Sequence, residues 1–197
     1  MNDILKTIYE RRAVRRYLDT AVSKEQIDTL IDAGRMAPSA MNRQPWKFYV
    51  LTDRARIHDI SKAITRQAAH EMKHHPVKDL LKTTLSFFHL TGVVDLLTGA
   101  DMIFHGAPVV IFITSAVSDE WGGLDVGMCS QNMMLAAKSL GLDTCPVGFA
   151  QMVMKTDLYP TLQIPAAEKV ELALIVGYGA EQPELHERKK NNVIYLS

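Results

Sequence analysis

The six residues 109–114, VVIFIT, constrain the fold of this chain more than any other stretch. They follow Pro108 and are mostly β-branched, which predicts a β-strand. Two other apolar runs, residues 46–51 (WKFYVL) and 170–178, predict a buried strand before this one and a third strand after it. The tail, residues 191–197, also alternates like a strand. Because a lone strand is marginally stable by itself, the tail is predicted to pair with the sheet edge of another subunit.

Helical spacing and capping residues predict helices around these strands. The most regular is a long buried helix that starts at residue 124 or 125, has apolar side chains every three to four residues and ends at Gly141. Four others are predicted: after Asn2 or Asp3, after the capping box at residues 23–26, after Asp53, and over residues 157–162.

Composition indicates one globular domain and excludes two classes of partner. Of the 197 residues, 47% are hydrophobic, and 22 Lys and Arg side chains are balanced by 22 Asp and Glu side chains. This balance gives no overall attraction to nucleic acid or to an anionic membrane, so neither is expected as a partner. Any bound anion must therefore be held by a local cluster of cations.

Cysteine usage and the apolar stretches predict a cytoplasmic protein. Cys129 and Cys145 lie apart in apolar surroundings and are expected to be reduced core thiols. The N-terminal segment MNDILKTIYERR lacks the long apolar core of a signal peptide. The most apolar stretch, residues 80–103, is interrupted by charges and glycines, whereas a membrane span needs about 20 consecutive apolar residues.

The densest positive charge lies in the segment ERRAVRRY, which contains Arg11, Arg12, Arg15 and Arg16. Such a cluster can be a solvated helix end, or its guanidinium groups can hold a phosphate through bidentate hydrogen bonds. A second basic cluster, residues 188–190, lies near the other end of the chain. Two basic clusters in a neutral protein favour one shared anionic ligand.

Two segments rich in proline and small residues can bring backbone against a ligand. The first is residues 38–44 (PSAMNRQ), here called the elbow, which lies between a predicted helix and the strand that begins at Trp46. The elbow either connects the two elements or presses against a flat ligand, and Trp46 is predicted to be a core anchor. The second is the loop GLDTCPVGF, residues 141–149, where glycine permits close approach of backbone N–H groups or simply forms a turn.

Six motifs follow one another along nearly the whole chain: ERRAVRRY, APSAMNRQPWKF, the D-x-G-x-x-x-Q-N-x-x-L-A-A helix of residues 125–137, GLDTCPVGF, VELALIVGYGAE and a basic residue near Arg188. Together they resemble the nitroreductase family of FMN-dependent oxidoreductases, and the P-S-x-x-N-x-Q-P-W bend is the most specific of them. The resemblance implies a single α+β domain over residues 1–197, with a central mixed β-sheet wrapped by helices. It also implies an intertwined homodimer with exchanged C-terminal arms and two FMN molecules at the subunit interface.

The cofactor contacts implied by the resemblance come from both ends of the chain and from both subunits. Near the phosphate and ribityl chain of FMN they are Arg11, Arg12, Ala13, Arg188 and either Lys190 or Lys189. Arg15 would lie near the N1/O2 edge of the flavin ring, and Pro146, Val147 and Gly148 would run along the ring near N5. The elbow of the other subunit would contribute Pro38, Ser39, Ala40, Asn42 and Gln44.

The implied activity is reduction of nitroaromatics, quinones or related small acceptors with NADH or NADPH. A hydride would pass to flavin N5, and the acceptor would then replace the nicotinamide above the ring, which gives ping-pong kinetics. A cation such as Arg15 at the N1/O2 edge would stabilise the reduced flavin. No side chain is assigned as catalytic and no metal is expected, and the sequence offers no Ser-His-Asp or Cys-His arrangement.

Two features depart from the family pattern. Ala13 stands where the family commonly has Ser or Thr, which removes a hydroxyl hydrogen bond to the phosphate worth about 1 kcal/mol. Residues 66–105 match no family pattern and are expected to form a variable cap that shapes the substrate pocket. Within this region, residues 66–76 predict a helix end and a loop, and residues 80–97 predict a broken helix.

Several assignments stay open within this reading. Gln67 and His70 are candidates for a mid-chain contact to the flavin ring. Tyr9, Phe87, Phe88 and Phe104 are candidate walls of a flat substrate slot, although a place in the core is the preferred interpretation for each phenylalanine.

Three rival functions also stay open. His70, His74 and His75 contain one helical i, i+4 pair that suits a metal, although the carboxylate of an HExxH motif is missing. A flavin-binding carrier or regulator would be yellow but would not be bleached by NADH or NADPH. An enzyme of the same fold could instead reduce C=C or C–halogen bonds or act as a dehydrogenase.

Overall fold

A computed structural model describes residues 2–74 and 101–196 of the chain. Its helices are α1 (Asp3–Glu10), α2 (Lys24–Arg35), α3 (Arg54–His74) and α4 (Gly122–Ser139). Its strands are β1 (Lys47–Leu51), β2 (Val109–Ala116), β3 (Asp143–Val147) and β4 (Glu168–Gly177). Short 3₁₀ segments cover Ala40–Asn42, Gly148–Lys155 and Tyr159–Leu162.

Local signals place the first two helices as predicted. The Asn2 side chain accepts a hydrogen bond from the Leu5 N–H at 2.9 Å, and Ser23 and Gln26 form the reciprocal capping box of α2. Helix α3 continues to His74, so the helix end predicted within residues 66–76 is not reached before His74, and no part of residues 66–74 is a loop. No glycine or proline interrupts the sequence from Arg54 to His74, which explains why the helix continues.

The four strands form one sheet in the order β1-β2-β4-β3, and every neighbouring pair is antiparallel. The α+β class is thus confirmed, while the described sheet of one chain is antiparallel rather than mixed. Strand β3 corrects the prediction of a loop at residues 141–149. It is an edge strand of the described sheet, and Pro146 is tolerated because no strand among the described residues pairs with its outer side.

Alternation along β2 divides the core into two layers. Val110 and Phe112 face the layer covered by α3, whereas Ile111 and Ile113 face the layer covered by α2 and α4. Trp46 is 6% exposed and packs in the second layer, which confirms it as a core anchor. Phe104 is fully buried and meets Phe112 edge-on at 6.0 Å between ring centroids, so it belongs to the core and not to a substrate slot.

Both cysteines are buried free thiols, as expected. Cys129 lies in the layer of α2 and α4, and Cys145 lies in the layer of α3. Burial raises the pKa of Cys129 to about 12 and also raises the pKa of Cys145.

One buried carboxylate joins three strands at an end of the sheet. Glu168 of β4 accepts hydrogen bonds from Lys47 Nζ at 2.5 Å and from the Tyr49 hydroxyl at 2.9 Å, both on β1. It also accepts one from the fully buried Thr114 hydroxyl of β2 at 2.7 Å. This cluster, the Glu168 node, fastens β1 to the centre of the sheet.

The chain after β4 is irregular. Residues 191–196 are exposed and form no strand within this protomer, and Val193, Ile194, Tyr195 and Leu196 have 62–94% of their surface exposed. Across residues 2–74 and 101–196, no helix is long and apolar enough to cross a membrane. Residues 75–100, which include Phe87, Phe88 and most of the apolar stretch assessed as a span, lie outside the described part of the chain.

Candidate functional site

The segment after α1 lies beside β3 and the end of β4. The Val14 N–H donates to the Thr144 carbonyl at 3.0 Å, and the Leu18 N–H donates to the Tyr178 carbonyl at 2.8 Å. Ala13 forms a parallel bridge with Thr144. These backbone contacts hold the arginine-rich segment against strand β3, two residues from Pro146.

Arg188, from the basic cluster near the C-terminus, lies within electrostatic reach of Arg11. Arg11, Arg12 and Arg15 are half-buried, whereas Arg16 and Arg188 are exposed. Burial lowers the pKa of Arg11, and the charges of Arg12 and Arg188 lower it further. Arg188 therefore lies close enough to act electrostatically on Arg11. Lys190, also predicted at the phosphate, is exposed.

Arg12 carries a buried donor with no acceptor. Its Nη1 donates to the carbonyls of Tyr9 at 2.6 Å and Arg11 at 2.8 Å, but its Nε is buried without a hydrogen-bond partner. A buried unsatisfied donor costs about 1–3 kcal/mol. Within residues 2–74 and 101–196, neither Arg11, Arg12 nor Arg15 forms an ion pair, whereas Arg16 lies 3.9 Å from Glu181.

The cavity beside Arg12 is not suited to a phosphate. It has a volume of about 380 Å³, and its other charged lining residues are Glu10, Lys138, Asp143 and Glu181. Because three carboxylates face two cations there, a phosphate would be repelled.

The end of β3 lies next to the arginines and is open. Burial raises the pKa of the Cys145 thiol, and the charges of Arg15 and Arg11 oppose this rise. Pro146 and Gly148 are exposed while Val147 is buried. A Cβ atom built on Gly148 would meet no atom within 4 Å, which leaves this backbone accessible to a ligand.

The elbow has a strained backbone. Three of its residues have positive φ although none is glycine: Met41 at 54°, Asn42 at 55° and Gln44 at 48°. For residues other than glycine this conformation costs roughly 1–2 kcal/mol each, somewhat less for asparagine. Within the elbow, the Ser39 hydroxyl accepts from the Gln44 N–H at 2.9 Å, and Gln44 Nε2 donates to Asn42 Oδ1 at 3.1 Å.

A buried carboxylate, Asp125, ties the elbow to α4. Both its oxygens accept from the Ala40 N–H, each at 3.2 Å, and the residue is 1% exposed. In the sequence, Asp125 belongs to the helix motif of residues 125–137 and has no predicted role of its own. The sequence signal that could have revealed its role is a carboxylate on the apolar face of the long helix.

Two cavities formed by the described residues lie at the elbow and at the arginines, and they are lined separately. A cavity of about 590 Å³ is lined by Gln44, Arg35, Trp46 and Tyr49 but by none of the arginines at 11, 12 and 15. The cavity beside Arg12 in turn has no elbow residue in its lining. Neither of these two cavities therefore combines the elbow with the arginines in one lined site.

The remaining candidate residues are scattered. Gln67 and His70 lie on α3 and line a third cavity, of about 640 Å³, together with Lys155 and Leu158. Tyr9 is 60% exposed on α1. Within residues 2–74 and 101–196, no group of three His, Cys, Asp or Glu side chains is placed to hold a metal ion. The possible metal site of His70, His74 and His75 lies partly outside this range, because His75 is not described.

Comparison with known proteins decides the family. A sequence profile of the nitroreductase family matches residues 8–178, which is most of the chain. The chain belongs to the nitroreductase family. This match confirms the resemblance. The arginine cluster, the elbow and the end of β3 in this family member can therefore be compared with those of its relatives.

Relatives share about the same length and moderate identity with this family member. The 4-nitrobenzoate reductase of Pseudomonas putida is 29% identical, over 91% of this chain and 87% of its own length. The nitrobenzene nitroreductase of Ectopseudomonas oleovorans is 30% identical, over 87% of this chain and 84% of its own. The solved FMN- and NADPH-dependent nitroreductase of Sphigopyxis sp. strain HMH has 18% identity and a TM-score of 0.78, covers both chains fully and shows a shared fold.

Proposed function

We propose that this protein is an FMN-dependent oxidoreductase that uses NADH or NADPH to reduce nitroaromatic, quinone or related small acceptors. The observation that carries the proposal is the buried Arg12 Nε, which lacks an acceptor in a cluster of cations that form no ion pairs. An anion placed there would satisfy the donor and relieve the repulsion between Arg11, Arg12 and Arg188. The phosphate of FMN has the charge and acceptor oxygens that this cluster needs.

The cofactor fits the residues at both of its ends. Its phosphate would be held by Arg11, Arg12 and Arg188, with Lys190 or Lys189 beside them and the Ala13 backbone close by. Arg15 would stabilise negative charge on the N1/O2 edge of the ring, and the open backbone at Pro146–Gly148 would lie along the ring. When bound, FMN supplies the redox chemistry by taking electrons from the reduced nicotinamide and passing them to the acceptor in a ping-pong cycle.

The choice of acceptor rests on the relatives. Both curated relatives described above are named for the reduction of nitro compounds on a benzene ring. The described side chains include no nucleophile paired with a base at this site, so residues of this chain would bind and orient while the protons come from water. No side chain is assigned as catalytic.

The elbow and the apolar surface support a homodimer. Helix α1 has no buried residue, and it exposes Ile4, Leu5, Ile8 and Tyr9, with exposed fractions of 70%, 45%, 44% and 60%. Such a face is stabilised when another chain covers it. In the proposed dimer, the partner brings its own elbow, with Pro38, Ser39, Ala40, Asn42 and Gln44, against the cofactor held by these arginines.

The free edge of β1 is the proposed receiver of the partner's C-terminal arm. Strand β1 ends the sheet on one side, and a cavity along it is lined by Trp46, Phe48 and Tyr49. Residues 191–196 of the partner could add there as a strand and place their apolar side chains in this cavity. If the added strand runs parallel to β1, the sheet becomes mixed.

The visible spectrum of the purified protein tests the function. The protein should be yellow, release FMN on denaturation and lose its 450 nm band, about where oxidised flavin absorbs, when NADH or NADPH is added without oxygen. Adding nitrobenzene, 4-nitrobenzoate or a quinone should then restore the band. A colourless protein that takes up no added FMN would overturn the proposal, and a yellow protein that neither donor bleaches would point to a flavin carrier.

Deletion of residues 191–197 tests the arm. The dimer dissociation constant should rise about a hundredfold or more, because burying each large apolar side chain contributes roughly 1.5–3 kcal/mol. Sedimentation at decreasing concentration measures this constant. Asn192→Ser, which leaves the apolar residues in place, should dissociate like the parent. A truncated chain with the parent's dissociation constant would contradict arm exchange.

A further inference from the structure

The elbow holds a conformation that the packing of its side chains does not explain. Met41, Asn42 and Gln44 have positive φ, yet all three are exposed, and Met41 has 86% of its surface free. Packing therefore does not compensate for the strained backbone. Strain of this kind persists only where the surroundings fix it, and it concentrates at sites that bind or switch.

Most hydrogen bonds of the elbow are local. The Asn42 N–H donates to the Ser39 carbonyl at 3.0 Å, the Arg43 N–H donates to the Ala40 carbonyl at 3.1 Å, and the Gln44 N–H donates to the Ser39 hydroxyl. These bonds close the turn but do not fix its place on the protein. Among the described residues, the bond from the Ala40 N–H to Asp125 is the elbow bond that reaches another element, 85 positions away in the sequence.

Asp125 is well placed to fix the position of the elbow on the protein. It lies in the first turn of α4, where the helix N-terminus stabilises a negative charge. It is almost fully buried, so its side chain has no water to move into. Its neighbours Val126 and Cys129 are buried in the core layer, which makes α4 a rigid support.

We infer that Asp125 is a positioning residue that holds the elbow in its ligand-facing shape. It touches no ligand itself. Its carboxylate holds the Ala40 N–H in place. The residues with positive φ that follow Ala40, at positions 41, 42 and 44, then point outward. This inference rests on the proposed function, because the elbow is proposed to line the FMN of the partner subunit.

The test compares Asp125→Ala with Asp125→Asn in the full-length protein. Asparagine keeps an oxygen that can accept from the Ala40 N–H, whereas alanine keeps none. Asp125→Ala should raise the dissociation constant for FMN about tenfold, and Asp125→Asn should recover most of that loss. Amide hydrogen exchange at residues 40–44 of the FMN-free protein should be about tenfold faster in the alanine variant and near the parent's rate in the asparagine variant.

Ile60→Val provides the control for a general loss of stability. Ile60 is 1% exposed and lies in the core layer of α3, which is the layer away from α4 and Trp46. The Ile60→Val substitution should lower the melting temperature without changing the FMN affinity or the amide hydrogen exchange of residues 40–44. Unchanged FMN affinity and exchange in Asp125→Ala would overturn the inference, as would an asparagine variant as weak as the alanine variant. If the parent itself binds no FMN, the proposed function fails, while the exchange rates still decide whether Asp125 fixes the elbow.

Discussion

Replacing Arg11 with methionine should weaken FMN binding about a hundredfold, since a bidentate charge-assisted contact to phosphate is worth roughly 3 kcal/mol. The same change should leave the FMN-free protein as stable as the parent or more stable. Methionine keeps most of the apolar stem of Arg11 but removes a charge that is half-buried and repelled by Arg12 and Arg188, as the lowered pKa of Arg11 indicates. Affinity and stability are therefore expected to change in opposite directions.

Fluorescence titration with FMN and thermal unfolding of the FMN-free protein measure these two effects. Arg16→Met is the matched control, because Arg16 belongs to the same segment but has 78% of its side chain exposed and faces Glu181. Its FMN affinity should stay within about twofold of the parent's, as expected for an exposed ion pair. Parent-like FMN affinity in Arg11→Met would show that the phosphate binds elsewhere.

Replacing Glu168 with alanine should lower the free energy of unfolding by about 3 kcal/mol, because several hydrogen bonds are lost and a buried donor stays unsatisfied. The Thr114 hydroxyl is fully buried and would lose its acceptor, and Lys47 and Tyr49 would lose theirs at the surface. Urea unfolding measures the change. Asp19→Ala, which breaks the exposed ion pair with Arg54, should change stability by no more than about 0.5 kcal/mol.

The contribution of the Glu168 node should also depend on pH. Burial alone would raise the pKa of Glu168, but hydrogen bonds from Lys47, Thr114 and Tyr49 outweigh it, and the pKa lies below its ordinary value of 4.5. A carboxyl group with a lowered pKa in the folded state stabilises at pH above its unfolded pKa and loses this effect as the pH falls through the folded pKa. The stability difference between the parent and Glu168→Gln should therefore shrink below pH 4.5. A difference that stays constant down to pH 2, about two units lower, would contradict this assignment.

Local signals in the sequence were sufficient for most of the fold. Strands β1, β2 and β4 are strongly apolar runs, and the capping box at Ser23 fixes the start of α2. Strand β3 was missed because two glycines, an aspartate and a proline in nine residues are typical of a turn. Its extended form is set by pairing with β4, about 30 residues later, and no local pattern carries that information.

Only part of the candidate site could be predicted from the sequence, because its contacts also join residues that are far apart along the chain. The arginines of residues 11–16 form a visible cluster, and their approach to Arg188 followed from a resemblance and not from spacing. The contact between Asp125 and Ala40 joins residues 85 positions apart, and the positive φ values fall on residues that rarely adopt them. The completion of the site by a second chain is invisible in the sequence and in one protomer alike, so it stays a prediction.

The burial of both thiols makes the protein a convenient object for site-directed labelling. Cys129 is 0% and Cys145 is 3% exposed, and their raised pKa values leave little of the reactive thiolate at neutral pH. Maleimide dyes should therefore not react with the native chain. They should react with a single cysteine introduced at an exposed position such as Lys6 of α1. Energy transfer between two such dyes would report the approach of neighbouring protomers without any need to remove the natural cysteines.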